Sequence, residues 1–184
     1  MMRTAVIVID MVNDFMDGVL ANPSAKEIVG PIASLVDRAR VSDETIVVYA
    51  NNAHRLSDVE LRLFPPHAME GSPGAEVIDE LRPESDDLVV AKRFYSAFTE
   101  TDLETRLRAH DVGRLVLVGQ HTDCCVRHTS YDAFVRRYEL AVCPDATTVF
   151  EPGSDEPLAV RQERALEYLR TYYGTELTAA DAVL

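Results

Sequence analysis

Five short runs of apolar, largely β-branched residues constrain this chain more than any other feature. They lie at residues 5–9 (AVIVI), 45–50 (TIVVYA), 88–91 (LVVA), 115–118 (LVLV) and 140–143 (LAVC). Each is too short for a typical helix. Their near-continuous hydrophobicity is that of strands buried on both faces. Amphipathic stretches separate them. Ser24 is placed to cap a helix whose Ile28, Ile32, Leu35 and Val36 share one side. Thr101 and Glu104 have capping-box spacing and start a helix reaching to about Ala109. A further helix follows the fourth strand, and residues 156–172 form a last one. Strand and helix in alternation predict an α/β fold, Rossmann-like, with a mainly parallel sheet covered on both faces through right-handed crossovers. A length of 184 residues suits a single domain, 1–184.

The chain carries 31 acidic and 18 basic side chains, a net charge of −13. That balance argues against binding a phosphate backbone, which needs a basic surface. No apolar stretch approaches the length of a membrane span, and the five apolar residues before Asp10 are too few for a signal peptide. Three cysteines without paired spacing argue against a disulfide framework. A cytoplasmic protein acting on a small molecule is the expectation, with no nucleic-acid or membrane partner.

The polar residues at the strand ends carry the functional signal. The first strand ends in Asp10, the second in Asn51 and Asn52, the third in Lys92, and the fifth at Asp145. The fourth breaks at Gly119 and runs into Thr122, Asp123 and the pair Cys124–Cys125 at the start of a helix. Free N–H groups at a helix start can lower a cysteine pKa and hold a developing oxyanion. All strand ends of a parallel sheet share one edge, where ligands bind. An Asp, a Lys and a helix-start Cys are therefore brought together as a candidate catalytic set. Taken singly, Asp10 reads as a turn cap, Lys92 as a surface lysine and the cysteines as packing residues. The segment from residue 51 to 74 lacks a clear period, holds two histidines and is long for a structureless loop, which marks it as functional.

The stretches VIVIDMVNDF (6–15), FPPHAMEGSPGAEVIDEL (64–81), KRFYSAFTETDLETRLR (92–108) and GQHTDCCVRHTSYDA (119–133) resemble the isochorismatase-like cysteine hydrolases. This family includes nicotinamidases, carbamoylsarcosine and ureidoacrylate amidohydrolases, streptothricin hydrolase and the isochorismatases. The resemblance implies a three-layer α/β/α domain and an Asp10, Lys92, Cys125 triad. Cys125 is the nucleophile because the family's cysteine precedes a valine, here Val126. It further implies a cis peptide at Gln120–His121, an oxyanion hole from the N–H groups of His121 and Cys125, and pocket walls from Phe15, Tyr95, Phe98 and Gln120. A homo-oligomer is expected.

The resemblance leaves the metal open. Nicotinamidases of the family hold a divalent ion through Asp-x-His and a later His; the matching residues here are Asn52, His54 and His67. Replacing the carboxylate by an amide weakens such a zinc site, and Asp58 or Glu60 could compensate. No cofactor is required for the cysteine chemistry itself. The expected activity is hydrolysis of a C–N bond in a small amide, ureide or lactam through a thioester. The alternatives are isochorismatase-type vinyl ether cleavage, nicotinamide hydrolysis, and a non-enzymatic flavodoxin-like or receiver domain. DMVNDF is no phosphate loop, and Lys92 ends the third strand rather than the last, which weighs against the non-enzymatic reading.

Overall fold

The computed structural model describes residues 2–184. Its strands are β1 (Arg3–Ile9), β2 (Thr45–Asn52), β3 (Leu88–Lys92), β4 (Val112–Gln120), β5 (Glu139–Thr148) and β6 (Glu176–Leu177). They form one sheet in the order β3-β2-β1-β4-β5-β6, and every neighbouring pair is parallel. The helices are α1 (Asn13–Met16), α2 (Ala25–Arg40), α3 (Leu103–Ala109), α4 (Arg127–Val135) and α5 (Leu158–Tyr173). Among the described residues no helix is long and apolar enough to cross a membrane.

Alternation along the central strand builds the layers. Val6 and Val8 of β1 pack with Ile28, Ile32, Leu35 and Val36 of α2. Ala5, Ile7 and Ile9 point the other way, onto Leu103 and Leu107 of α3, Ala133 of α4 and Leu166 and Leu169 of α5. Strands β1 and β4 are thus sealed on both sides, which is why their sequences show no polar alternation. The tail beyond Gly174 adds β6 to the sheet edge, and its Ala180 and Val183 join the α2-side core.

Several local expectations are corrected. Ser24 sits at the α2 N-cap, but its hydroxyl donates to Asn22 Oδ1 (3.1 Å) and not to the helix backbone. Thr101 and Glu104 form no capping box: Asp102 is the N-cap of α3, and Glu104 instead pairs with Arg108 and Arg136. The cysteines do not open an α-helix; they lie in a π-helical turn, Thr122–Val126, ahead of α4. β5 runs on to Thr148 because an irregularity opposite Leu117 and Gly119 lets the pairing resume past Pro144, placing Thr147 and Thr148 beside Gly119 and Gln120. Asp145 consequently turns away from the rim, where its Oδ1 accepts from Ala180 N (2.9 Å).

The strand order reverses direction between β1 and β4, and the chain leaves both strands by a sharp turn there. Gly119 makes this possible. Its φ is +103°, and a Cβ would stand 2.1 Å from the Ile9 carbonyl oxygen. Gly119→Ala is expected to lower the unfolding free energy by about 2 kcal/mol or more in urea titrations. A loss under about 0.5 kcal/mol would contradict this role.

Candidate active site

Asp10 follows β1 with a φ of 54°, a left-handed conformation that swings its carboxylate sideways over β2. Bonds on both flanks hold it there. Its N–H donates to Ala50 O (3.2 Å), its carbonyl accepts from Gln120 Nε2 (3.2 Å), and its Oδ1 accepts from Asn52 N (2.7 Å). Lys92 starts two strands away, at the end of β3 opposite Asn52. Two strand spacings are about 10 Å, a gap that a long side chain is needed to bridge. The lysine crosses over Asn52, whose Oδ1 accepts from Nζ, and ends 2.7 Å from Asp10 Oδ2. Nζ also lies 3.3 Å from Phe94 O and 3.6 Å from Cys125 Sγ. Asp10 and Lys92 are fully buried and Cys125 nearly so. The three residues picked from the strand ends therefore meet at one point.

The π-helical turn sets Cys125 against Lys92 while Cys124 stays half-buried. Both Cys124 N (3.0 Å) and Val126 N (3.1 Å) donate to the His121 carbonyl, and the Gln120–His121 peptide is cis. The expectation of an acidified Cys125 is not met. A hydrogen bond with Cys124, burial and the Asp10 charge together raise its pKa well above that of a free thiol, with Lys92 pulling the other way. Lys92, which burial alone would neutralise, is held charged chiefly by the Asp10 carboxylate.

Cys125 opens onto a cavity of about 290 Å³ walled by Phe15, Leu20, Phe64, Tyr95, His121 and Phe150, with Asn52, Glu60, Asp123, Cys124 and Arg161 as its other polar lining. Phe15 and Tyr95 are among the walls of this cavity. Phe98 and Gln120 are not. Phe98 packs in the core beneath the Arg136 guanidinium and beside Tyr138. Gln120 is fully buried and acts on Asp10, its own Oε1 accepting from Asn22 Nδ2 (3.0 Å). Phe64, Phe150 and Arg161 escaped sequence reasoning because nothing local distinguishes them from ordinary loop and helix residues. The His121 ring sits edge-on between Phe15 and Phe150; burial and then the Lys92 charge lower its pKa to about 3, so it is neutral.

Beside the triad, His54, Glu60 and His67 are all buried and bring ligand atoms within 4.8 Å of one another. His54 Nδ1 is 3.1 Å from Asp58 Oδ2, and His67 Nδ1 is 2.8 Å from Pro65 O. Those acceptors fix each Nδ1 as the donor and leave Nε2 facing Glu60, at 3.7 Å in both cases. His67 Nε2 is buried without a hydrogen-bond partner. A buried two-histidine, one-carboxylate set with tethered rings fits a divalent ion such as zinc. Burial lowers the His67 pKa, but Glu60, the Pro65 carbonyl and Asp10 together raise it overall, and a cation would compete for the Nε2 nitrogen. Asn52 is not a ligand in this arrangement, because its oxygen is taken by Lys92 and its Nδ2 lies 3.0 Å from His54 Nε2. Glu60, from the short 3-10 turn Val59–Arg62, supplies the carboxylate in its place.

A parallel sheet with its polar constellation at the β1/β4 crevice defines an α/β protein of the doubly wound class. The isochorismatase domain model matches residues 4–181, and the chain belongs to that family. It is 34% identical over 161 residues to an uncharacterized isochorismatase family protein, PncA, of Bacillus subtilis, covering 81% of this chain and 88% of the relative. The crystal structure of N-carbamoylsarcosine amidase from Thermoplasma acidophilum superposes with a TM-score of 0.88 at 38% identity, covering 99% of both chains. The pyrazinamidase of Pyrococcus horikoshii, solved in complex with zinc, superposes with a TM-score of 0.84 at 27% identity, covering 96% of this chain and 99% of that one.

Asp58 ties the histidine cluster to the scaffold. Hydrogen bonds from the Arg93 guanidinium, aided by Arg55 N and His54, hold its carboxyl well below the usual carboxylate range despite burial. A depressed folded pKa contributes stability that is complete above the unfolded value of about 4 and is lost as pH falls towards the folded value. Asp58→Asn is expected to cost about 1–2 kcal/mol at pH 7, the pair being partly screened because Arg93 is 33% exposed, and to flatten the stability profile between about pH 5 and 2. Parallel urea-unfolding profiles for the two proteins would contradict this.

Proposed function

We propose that the protein is a cysteine hydrolase cleaving a C–N bond of a small amide, ureide or lactam. The single observation that carries this reading is the sealed contact of Lys92 Nζ with both Asp10 (2.7 Å) and Cys125 (3.6 Å) at the wall of a small cavity. Asp10 takes the Cys125 proton as the sulfur attacks the carbonyl carbon, and then delivers it to the departing nitrogen. Lys92 keeps Asp10 in place and offsets the negative charge that moves between carboxylate and sulfur. The N–H groups of His121 and Cys125 receive the carbonyl oxygen as it becomes negative. After ammonia or amine leaves, Asp10 draws a proton from water, which attacks the thioester and frees Cys125. Phe15, Tyr95 and the other aromatic walls keep bulk water out meanwhile. The substrate is a small molecule, and no nucleic acid or membrane enters this scheme.

His54 and His67, through Nε2, and Glu60 would hold a divalent metal next to this centre. When bound, it would supply a Lewis-acid contact for a heteroatom of the substrate. This cluster is also what favours a second, narrower reading, a nicotinamidase, since Glu60 restores the carboxylate that Asn52 lacks. A vinyl ether hydrolase gives no use to Cys125 and is the weaker reading.

An ammonia-release screen over primary amides, ureides and lactams tests the class. On the substrate so found, Cys125→Ala is expected to lose at least about 1000-fold in kcat, Asp10→Asn about 100- to 10,000-fold, and Cys124→Ala less than tenfold. Wild-type turnover by Cys125→Ala would end the proposal.

Untagged protein is expected to bind about one zinc ion per chain by elemental analysis, and Glu60→Gln to weaken retention at least about tenfold in chelator competition. Equal retention by both proteins would exclude Glu60 as a ligand.

A further inference from the structure

The three cysteines of this chain have different surroundings. Cys143 is sealed in the α2-side core, where burial pushes its thiol up to about 12. Cys125 is buried against Lys92. Cys124 is half-buried and lines the same cavity of about 290 Å³ as Cys125. The proposed hydrolysis gives it nothing to do.

A cysteine that only fills space needs no polar partners, and Cys124 has two. The His128 ring, one helical turn on, donates from Nδ1 to the Cys124 carbonyl (2.7 Å) and lies within hydrogen-bond reach of its sulfur. Tyr95, a wall of the cavity, backs that ring at 5.2 Å between centroids. From the other side Cys125 hydrogen-bonds the same sulfur. The contacts with Cys125 and then His128 favour the Cys124 thiolate against the cost of burial, and Cys124 in turn draws His128 towards its cationic form. A sulfur so placed, at a cavity wall beside an imidazole, is suited to attack a disulfide.

The exchange balances without any further reagent. The Cys124 sulfur attacks one sulfur of a small disulfide; a new S–S bond forms as the old one breaks. The other half leaves as a thiolate and takes a proton from water, so Cys124 is oxidised and the departing sulfur reduced. Cys125 is badly placed to resolve the cap. Consecutive Cα atoms are about 3.8 Å apart, shorter than the roughly 4.4 Å lower limit usual for a disulfide. The net charge of −13 favours the approach of neutral or cationic disulfides over anionic ones.

We propose that Cys124 is a reversible thiolation site, where a mixed disulfide with a small neutral or cationic thiol fills the cavity and closes off Cys125. The effect on turnover rests on the hydrolase reading of that cavity; the site of modification does not.

The reduced protein is treated with 2-hydroxyethyl disulfide at pH 7, quenched in acid with a maleimide to trap free thiols, and digested with trypsin. Fragmentation of the 115–127 peptide is expected to place the first adduct on Cys124, and dithiothreitol to remove it. Cys124→Ser is expected to slow total adduct formation at least about tenfold, and His128→Gln to slow it at least about threefold. A first adduct on Cys125 or Cys143, a Cys124–Cys125 disulfide, no adduct at all, or a rate unmoved by His128→Gln would overturn the proposal. With a substrate in hand, the capped protein is expected to lose at least about tenfold in turnover and regain it with dithiothreitol, whereas Cys124→Ser treated alike keeps its own rate. Undiminished turnover by the capped protein would overturn the closure. A Cys124 adduct on a protein that hydrolyses no member of the amide panel supports the site and counts against the hydrolase reading alone.

Discussion

A lysine ammonium and an aspartate carboxylate sealed from water, 2.7 Å apart, are what the rest of this structure is arranged around. Such a pair is an expensive thing to bury, and removing one partner would leave an uncompensated charge at a cost of about 3–5 kcal/mol. A hydrophobic pair would fill the same space more cheaply. Here the charges lie against the Cys125 sulfur, whose pKa the neighbouring Cys124, burial and the Asp10 charge all raise. In the proposed hydrolase, this combination would supply a base beside a nucleophile and a cation to balance the charge that passes between them.

Topology makes that contact possible. The sheet order places the ends of β1 and β4 side by side, with the Asp10 and Gly119 turns bending the two chains apart. β2 intervenes between Lys92 and its partners, and Asn52 at its end serves both: its N–H holds Asp10 and its side-chain oxygen accepts from Lys92. The amide at that position joins the charge network, with its Nδ2 3.0 Å from His54 Nε2, and Glu60 is the carboxylate that faces both histidines. Polar groups from Asn22 through Gln120 to Asp10 extend the same network under the floor of the crevice.

Much of this was legible in the sequence. Runs such as AVIVI and LVLV identify their strands, and parallel strands align their ends, so Asp10, Lys92 and the cysteine pair could be collected on one rim before any coordinates. Which features escaped follows from physics. Pro144 makes β5 look finished at Cys143, whereas a shift in pairing carries it to Thr148. Ser24 and Thr101 carry capping side chains whose hydroxyls instead donate to near neighbours in the chain, Asn22 Oδ1 and the Ala97 carbonyl. Phe98 lies in a stretch that also lines the pocket at Tyr95, and only the direction of its side chain, into the core, separates the two. Glu60 could be suspected, because a carboxylate was missing near two histidines; Arg161 could not, because nothing local marks one arginine of the last helix as facing the cavity.

The most direct measurement is the location of the acyl group during turnover. Rapid acid quench with a hydrolysed substrate, followed by tryptic digestion, yields residues 115–127 as one peptide containing both cysteines. Fragmentation between Cys124 and Cys125 then assigns the added mass. An acyl group on Cys125 is the predicted result; one on Cys124, or steady turnover with no cysteine adduct under any quench condition, would contradict the chemistry set out here.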